Sequence, residues 1–287
     1  MTASARCPAS CGELIQGWIK GGEKLISCPI NWYSEVIIEQ GKPLTNERPN
    51  MRKAVIKTLE HFSVDPQLNC ELQLTLNSTI PVAKGMASST ADIAATIMAV
   101  SRWLDTPIST DDIAKLCTSI EPTDSVFFPT LTLFDHLKGK YQQPIGNMPK
   151  MDMLILEPDQ ILTTAAYRRK HNKSRLIASK DILALATQKV ILGCEKQSPE
   201  LIGEAATLSA IENQKILPKP GFNKLLQLLS KSDFYGITIA HSGTVMGLLL
   251  DRHRYDSERF LAQLNFCGIT ALYPNQYWVE TISGGID

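Results

Sequence analysis

Between Cys70 and Asp92 the sequence changes its hydrophobic period twice, and few folds accommodate the result. Leu72, Leu74 and Leu76 alternate with Glu71, Gln73 and Thr75, the period of a half-buried strand. From Ala91 onward the spacing is helical, with Ala91, Ala94, Ala95 and Met98 in one row and Ile93, Ile97, Val100 and Leu104 in another. A helix apolar along two rows is a buried one. Between strand and helix lie Pro81, Val82, Ala83, Lys84, Gly85, Met86, Ala87, Ser88, Ser89 and Thr90. Gly85 lets backbone approach a ligand closely, and three small hydroxyl residues fall at the first helical turn. Free amides and the positive end of the helix dipole suit a phosphate there. The stretch is neither a Walker loop, since Lys84 precedes Gly85, nor a G-x-G-x-x-G turn. An ordinary turn capped by serine or threonine has the same spacing, so spacing alone leaves both readings open.

Composition narrows the function classes. Lysine plus arginine and aspartate plus glutamate number 29 each among 287 residues, so no global basic field recruits nucleic acid or an anionic membrane. Seven cysteines, at 7, 11, 28, 70, 117, 194 and 267, are odd in number and scattered without a C-x-x-C pair, which points to reduced thiols rather than a disulfide framework or zinc site. Without an apolar signal core or a run long enough to span a bilayer, the protein is expected in the cytoplasm.

The loop pattern Pro81-x-x-x-Gly85-Met86-x-Ser88-Ser89 resembles the phosphate loop of the GHMP kinases, which phosphorylate hydroxyls of small molecules. Arg6 to Gly17 resembles that family's N-terminal motif, and Ala240 to Leu250 its C-terminal glycine turn and following strand. Cys7–Gly17, Ile120–Ser125, Gly203–Ile211 and Leu217–Phe222 are similar to the branch of the family that acts on the side-chain hydroxyl of L-threonine. The resemblance implies a two-lobed α+β fold, with a ribosomal protein S5 domain 2-like N-terminal lobe over 1–148 and a ferredoxin-like C-terminal lobe over 149–287. It also implies ATP and Mg2+ as cofactors, L-threonine as acceptor, and O-phospho-L-threonine as a product destined for the cobalamin nucleotide loop. Residues 81–90 would hold the nucleotide phosphates with Lys84 as an electrostatic helper. Ser88 or Ser89 with Glu121 would hold the metal, Asp124 would orient or deprotonate the acceptor hydroxyl, and Glu13, Gln16, Asp124, Ser242 and Gly243 would line the acceptor site. L-Homoserine or L-serine as acceptor, and a non-catalytic ligand sensor on the same fold, remain as rivals.

Taken without the resemblance, several of these residues have plainer roles. Glu121 and Asp124 flank Pro122, where carboxylates often serve as turn residues and caps. Glu13 and Gln16 suit solvated turns, and Ser242–Gly243 suits a hairpin. Gly17, Gly21 and Gly22 punctuate a hairpin after the first strand, residues 50–62 have amphipathic helical spacing, and Ser109 starts a further helix. The Gly-, Gln-, Asn- and Pro-rich stretch 139–150 reads as a connector between lobes. Arg168, Arg169, Lys170, His171, Lys173 and Arg175 form a dense basic run that suits a solvated segment.

Overall fold

The structure is a computed structural model that describes residues 1–162, 173–230, 234–254 and 256–287. Arg168 to His171 of the basic run lie outside the described residues, while Lys173 and Arg175 lie in a short helix. The first two strands, β1 (Thr2–Ile19) and β2 (Gly22–Gln40), form a long antiparallel hairpin turning at Lys20–Gly21. Gly17, grouped with the turn by composition, pairs inside the ladder with Lys24. Next come α1 (Pro49–His61), β3 (Leu72–Ser78), α2 (Ser88–Trp103) and α3 (Thr110–Ile120). The amphipathic reading of α1 holds, with Met51, Ala54, Val55, Thr58 and Leu59 buried. Cys70 instead belongs to a 3-10 turn, Pro66–Glu71, ahead of β3. Ser109 caps α3 by accepting a hydrogen bond from the Asp112 amide at 3.1 Å.

Helix α2 is buried on nearly every side, as its two apolar rows require. It packs on β1 and β2 and is flanked by α1 and α3. The chain then forms β4 (Leu131–Phe134), β5 (Gln142–Gly146) and β6 (Asp152–Glu157). Strand β5 corrects the reading of 139–150 as a bare connector, since it pairs antiparallel with β4. It is an edge strand, where a proline such as Pro144 is tolerated because an outward-facing amide is not needed.

Beyond β6 the described chain supplies α4 (Lys173–Ala178), α5 (Lys180–Lys196), α6 (Pro199–Gln214) and α7 (Phe222–Leu229). It ends with β7 (Gly236–Ile239), β8 (Met246–Leu250), α8 (Ser257–Phe266), α9 (Ile269–Leu272) and β9 (Asn275–Glu280). Strands β7, β8, β6 and β9 lie side by side in that order, all antiparallel, which is the ferredoxin-like β-α-β-β-α-β arrangement. Strand β6 is apolar without alternation because both of its faces are covered: Met153 and Ile155 join the larger core, Leu154 and Leu156 a second core with Phe222, Phe234 and Phe260.

The two lobes share more than a linker. One nine-stranded sheet runs through both, joined where Glu13 of β1 pairs with Ile239 of β7. The larger core likewise mixes Ile15, Ile26 and Ile97 with Leu183, Ile202 and Val245. Among the described residues no helix is long and apolar enough to cross a membrane.

Candidate active site

The loop between β3 and α2 wraps through left-handed conformations at Ala83 (φ 60°), Gly85 (φ 81°) and Ala87 (φ 58°). Alternation of this kind turns successive amides toward one concave side. Ala87 stands at the N-cap of α2 and offers no side-chain cap, so no cap side chain satisfies the first-turn amides. The serine and threonine cap considered from the sequence is therefore not what the helix uses.

The β7–β8 turn fixes this loop from the other lobe. The Lys84 carbonyl accepts hydrogen bonds from the amides of Thr244 (2.8 Å) and Val245 (3.2 Å), and the Met86 carbonyl accepts one from Ser10 (3.2 Å). A Cβ on Gly85 would lie 2.5 Å from that of Ala240, and one on Gly243 would lie 2.1 Å from the Lys84 carbonyl oxygen. Two glycines face each other here because nothing larger fits. Behind Gly243, the buried Lys219 ammonium donates to its carbonyl, and burial pushes that amine down to about 7.

A cavity of about 240 Å³ opens over the loop. Of the predicted nucleotide residues, Val82, Ala83, Gly85, Met86, Ala87, Ser88, Ser89 and Thr90 line it, whereas Pro81 and Lys84 do not. Lys84 turns its ammonium away, to the carbonyls of Pro158, Asp159 and Gln160 and to the Glu157 carboxylate at 3.2 Å. It holds the loop to the segment following β6, which departs from the expected role as a phosphate helper.

Glu121 and Asp124 line the same cavity from the turn after α3. Glu121 is oriented by Asn50, whose side-chain amide donates to its carboxylate at 2.7 Å. Asp124 sits beside α2, its backbone amide donating to the Thr90 hydroxyl at 3.1 Å and its carboxylate 3.5 Å from the same oxygen. Shielding from water, with the negative Glu121 nearby, pushes the Asp124 carboxyl up to about 6, against a smaller downward pull from Thr90. Glu13 lies deeper. It is buried outside the lining, and burial together with the Asp124 charge raises its carboxyl well above the usual range. One of its oxygens has no hydrogen-bond partner among the described residues.

Gln16 is neither solvated nor in the cavity. Its side chain donates to the Ile239 carbonyl at 3.0 Å and accepts from Asn213 at 2.8 Å, so it fastens β1 to β7 and α6. Ser242 lines the cavity, while Gly243 only packs beneath it. Sequence reasoning assigned nothing to His136 or His241, which also line the cavity with ring centroids 5.0 Å apart. His241 lay within the glycine-turn motif, which was the available signal; nothing in the sequence marked His136. A second cavity of about 290 Å³ adjoins the loop and is lined by Val82, Ser88 and Ser89 together with Arg48, Asn50 and Met51.

Ser88, Ser89 and Glu121 line one cavity beside amides with no side-chain cap, and their side chains carry hard oxygen donors. That donor set fits a magnesium ion carried by a polyphosphate, because Mg2+ takes few protein ligands and completes its shell with phosphate oxygens and water. Cys7, Cys11 and Cys28 are buried in the core, and burial pushes each thiol up.

An amide cradle with two carboxylates beside it, held by the β7–β8 turn of the other lobe, suits the movement of a phosphoryl group between small molecules. Residues 50–128 match the family model described as the GHMP kinases N terminal domain. The chain is 47% identical over 285 residues to the L-threonine kinase of Citrobacter freundii, covering 99% of each protein. It is 48% identical over 284 residues to the L-threonine kinase of Salmonella typhimurium, covering 99% of this chain and 95% of that one. The fold is also that of a homoserine kinase from Cytophaga hutchinsonii, with a TM-score of 0.72 at 13% identity over 100% of this chain and 96% of that one. This protein belongs to the GHMP kinase family.

Proposed function

We propose that the protein transfers the γ-phosphoryl group of ATP to the side-chain hydroxyl of L-threonine, releasing ADP and O-phospho-L-threonine. The observation that carries this reading is the near-full-length likeness to two L-threonine kinases. The geometry supports the chemistry that such a transfer needs.

The amides at the start of α2 and the left-handed turns before it hold the β- and γ-phosphates, and the adjoining cavity beside Arg48 and Met51 receives the nucleoside end. Ser88 or Ser89 and Glu121 hold Mg2+, which neutralises phosphate charge when bound. Asp124 then faces the acceptor hydroxyl. With its carboxyl raised to about 6, it is ionised at neutral pH yet basic enough to take the hydroxyl proton as the oxygen attacks. Thr90 fixes the Asp124 backbone, and the buried Glu13, whose raised carboxyl favours the neutral form, leaves Glu121 as the charge that acts on Asp124. The rest is positioning, which supplies much of the rate in phosphoryl transfer. Delivery of the product to the cobalamin nucleotide loop is part of the same proposal.

The test is ADP release with MgATP and a panel of L-threonine, L-serine, L-homoserine, D-threonine, mevalonate and galactose, with each product identified by mass. Preference for L-threonine is expected. Faster turnover of another acceptor overturns the acceptor assignment, and MgATP binding without turnover of any of them overturns the kinase reading in favour of a sensor.

A further inference from the structure

The cavity above the phosphate loop has an uneven charge inventory. Its lining includes two carboxylates, Glu121 and Asp124, and among the described residues neither lysine nor arginine. Among the described residues, the side-chain nitrogens that line it belong to His136 and His241. These imidazoles come from different lobes and meet edge to face, ring centroids 5.0 Å apart. His136 follows β4 and is buried; its carbonyl accepts from the Thr123 amide at 2.9 Å, which ties it to the segment carrying Asp124. His241 stands in the β7–β8 turn, whose Gly243 rests on the phosphate loop.

An amino-acid acceptor brings three polar groups to this space. Its hydroxyl goes to Asp124, and its ammonium gains from the net negative charge of a lining that carries Glu121 and Asp124. Its own carboxylate needs N–H donors, and the loop amides are taken by the nucleotide. In a 2-amino-3-hydroxy acid only two carbons separate carboxylate from hydroxyl, so the carboxylate's partners must neighbour Asp124. We propose that His136 and His241 receive the α-carboxylate of the acceptor and set the preference for a free amino acid over an amino alcohol. This inference rests on the amino-acid acceptor proposed above. The imidazole N–H groups act as charge-assisted donors, and the pair closes only when both lobes are in place.

The test compares L-threonine with (R)-1-amino-2-propanol, which is L-threonine without its carboxylate, at saturating MgATP. Wild type, His136→Ala, His241→Ala and the double variant are assayed, with His136→Asn and His241→Asn to restore an N–H donor. Each alanine variant is expected to lose about ten- to a hundredfold in kcat/KM for L-threonine, mainly through KM, the range of one hydrogen bond to a charged group. Turnover of the amino alcohol and the KM for MgATP should stay within about threefold, since neither depends on the lost contact. The asparagine variants should recover part of the loss.

A parallel fall for both acceptors, or a raised KM for MgATP, overturns the assignment and places the imidazoles on the phosphates or in the scaffold. Unchanged discrimination in the double variant overturns it as well. A variant that fails to fold is recognised by loss of nucleotide binding, and the asparagine pair then decides: discrimination lost there too, with MgATP bound normally, refutes a donor role. If wild type turns over neither compound but phosphorylates a different acceptor, the acceptor reading fails first, and that result is distinct from any of these.

Discussion

Asp124 works as a base only after losing its own proton, and its surroundings hold that proton on up to about pH 6. Turnover of the acceptor should therefore fall as pH drops through about 6, with the limb displaced downward once a bound cation favours the carboxylate. Asp124→Asn should abolish this limb and lower kcat by roughly 10² to 10⁴, the usual worth of a positioned base, while nucleotide affinity is retained. A pH profile of both proteins checks it; an Asn variant with wild-type kcat removes Asp124 from the chemistry. Residue roles were unevenly legible. Glu121 and Asp124 stand in one short distinctive segment, so resemblance found them. Lys84 and Gln16 misled because the destination of a polar side chain depends on distant chain: three carbonyls at 158–160 capture one, and Ile239 with Asn213 the other.

At the scale of elements, the β3–loop–α2 unit was readable because its periods change where the structure changes. The partner holding that loop was not, since hydrogen bonds from Thr244 and Val245 to Lys84 leave no local pattern. Strand β5 was missed for a related reason: an edge strand made of Gln142, Gln143, Pro144, Ile145 and Gly146 takes its order from β4, not from its own propensity. The importance of the loop's partner can be measured. Gly243→Ala places a methyl 2.1 Å from the backbone oxygen of Lys84, so the turn or the loop must move. MgATP affinity is expected to drop at least about tenfold with a stability loss of about 1–3 kcal/mol, as for other overpacked sites. Isothermal titration and thermal melts of the variant measure both; wild-type affinity would mean that the turn does not set the loop's geometry.

Across the whole molecule, the shared sheet and core make the lobes one cooperative unit. A single unfolding transition is expected, with calorimetric and van't Hoff enthalpies in agreement, and residues 1–148 alone should not reach a folded state because Ile15 and Ile26 lose Leu183, Ile202 and Val245. Two separated transitions would contradict this. Lys219 adds a pH dependence to the same quantity. Its amine is lowered from 10.5 to about 7 by burial, so from pH 7 to 10.5 the unfolded chain binds more protons than the folded one. The cost of the buried charge is thus fully present below about pH 7 and relieved as pH rises toward 10.5. Melting wild type and Lys219→Met side by side should show the difference shifting in favour of wild type over that interval, and a constant offset would exclude it. Gly85 and Gly243 carry a different consequence, one for descent with variation. Where a large residue meets a small one, a change on one side can be answered by trimming the other. Here both sides are already at the minimum, so no local second substitution restores the fit, and the joint between the lobes can change only if a strand moves.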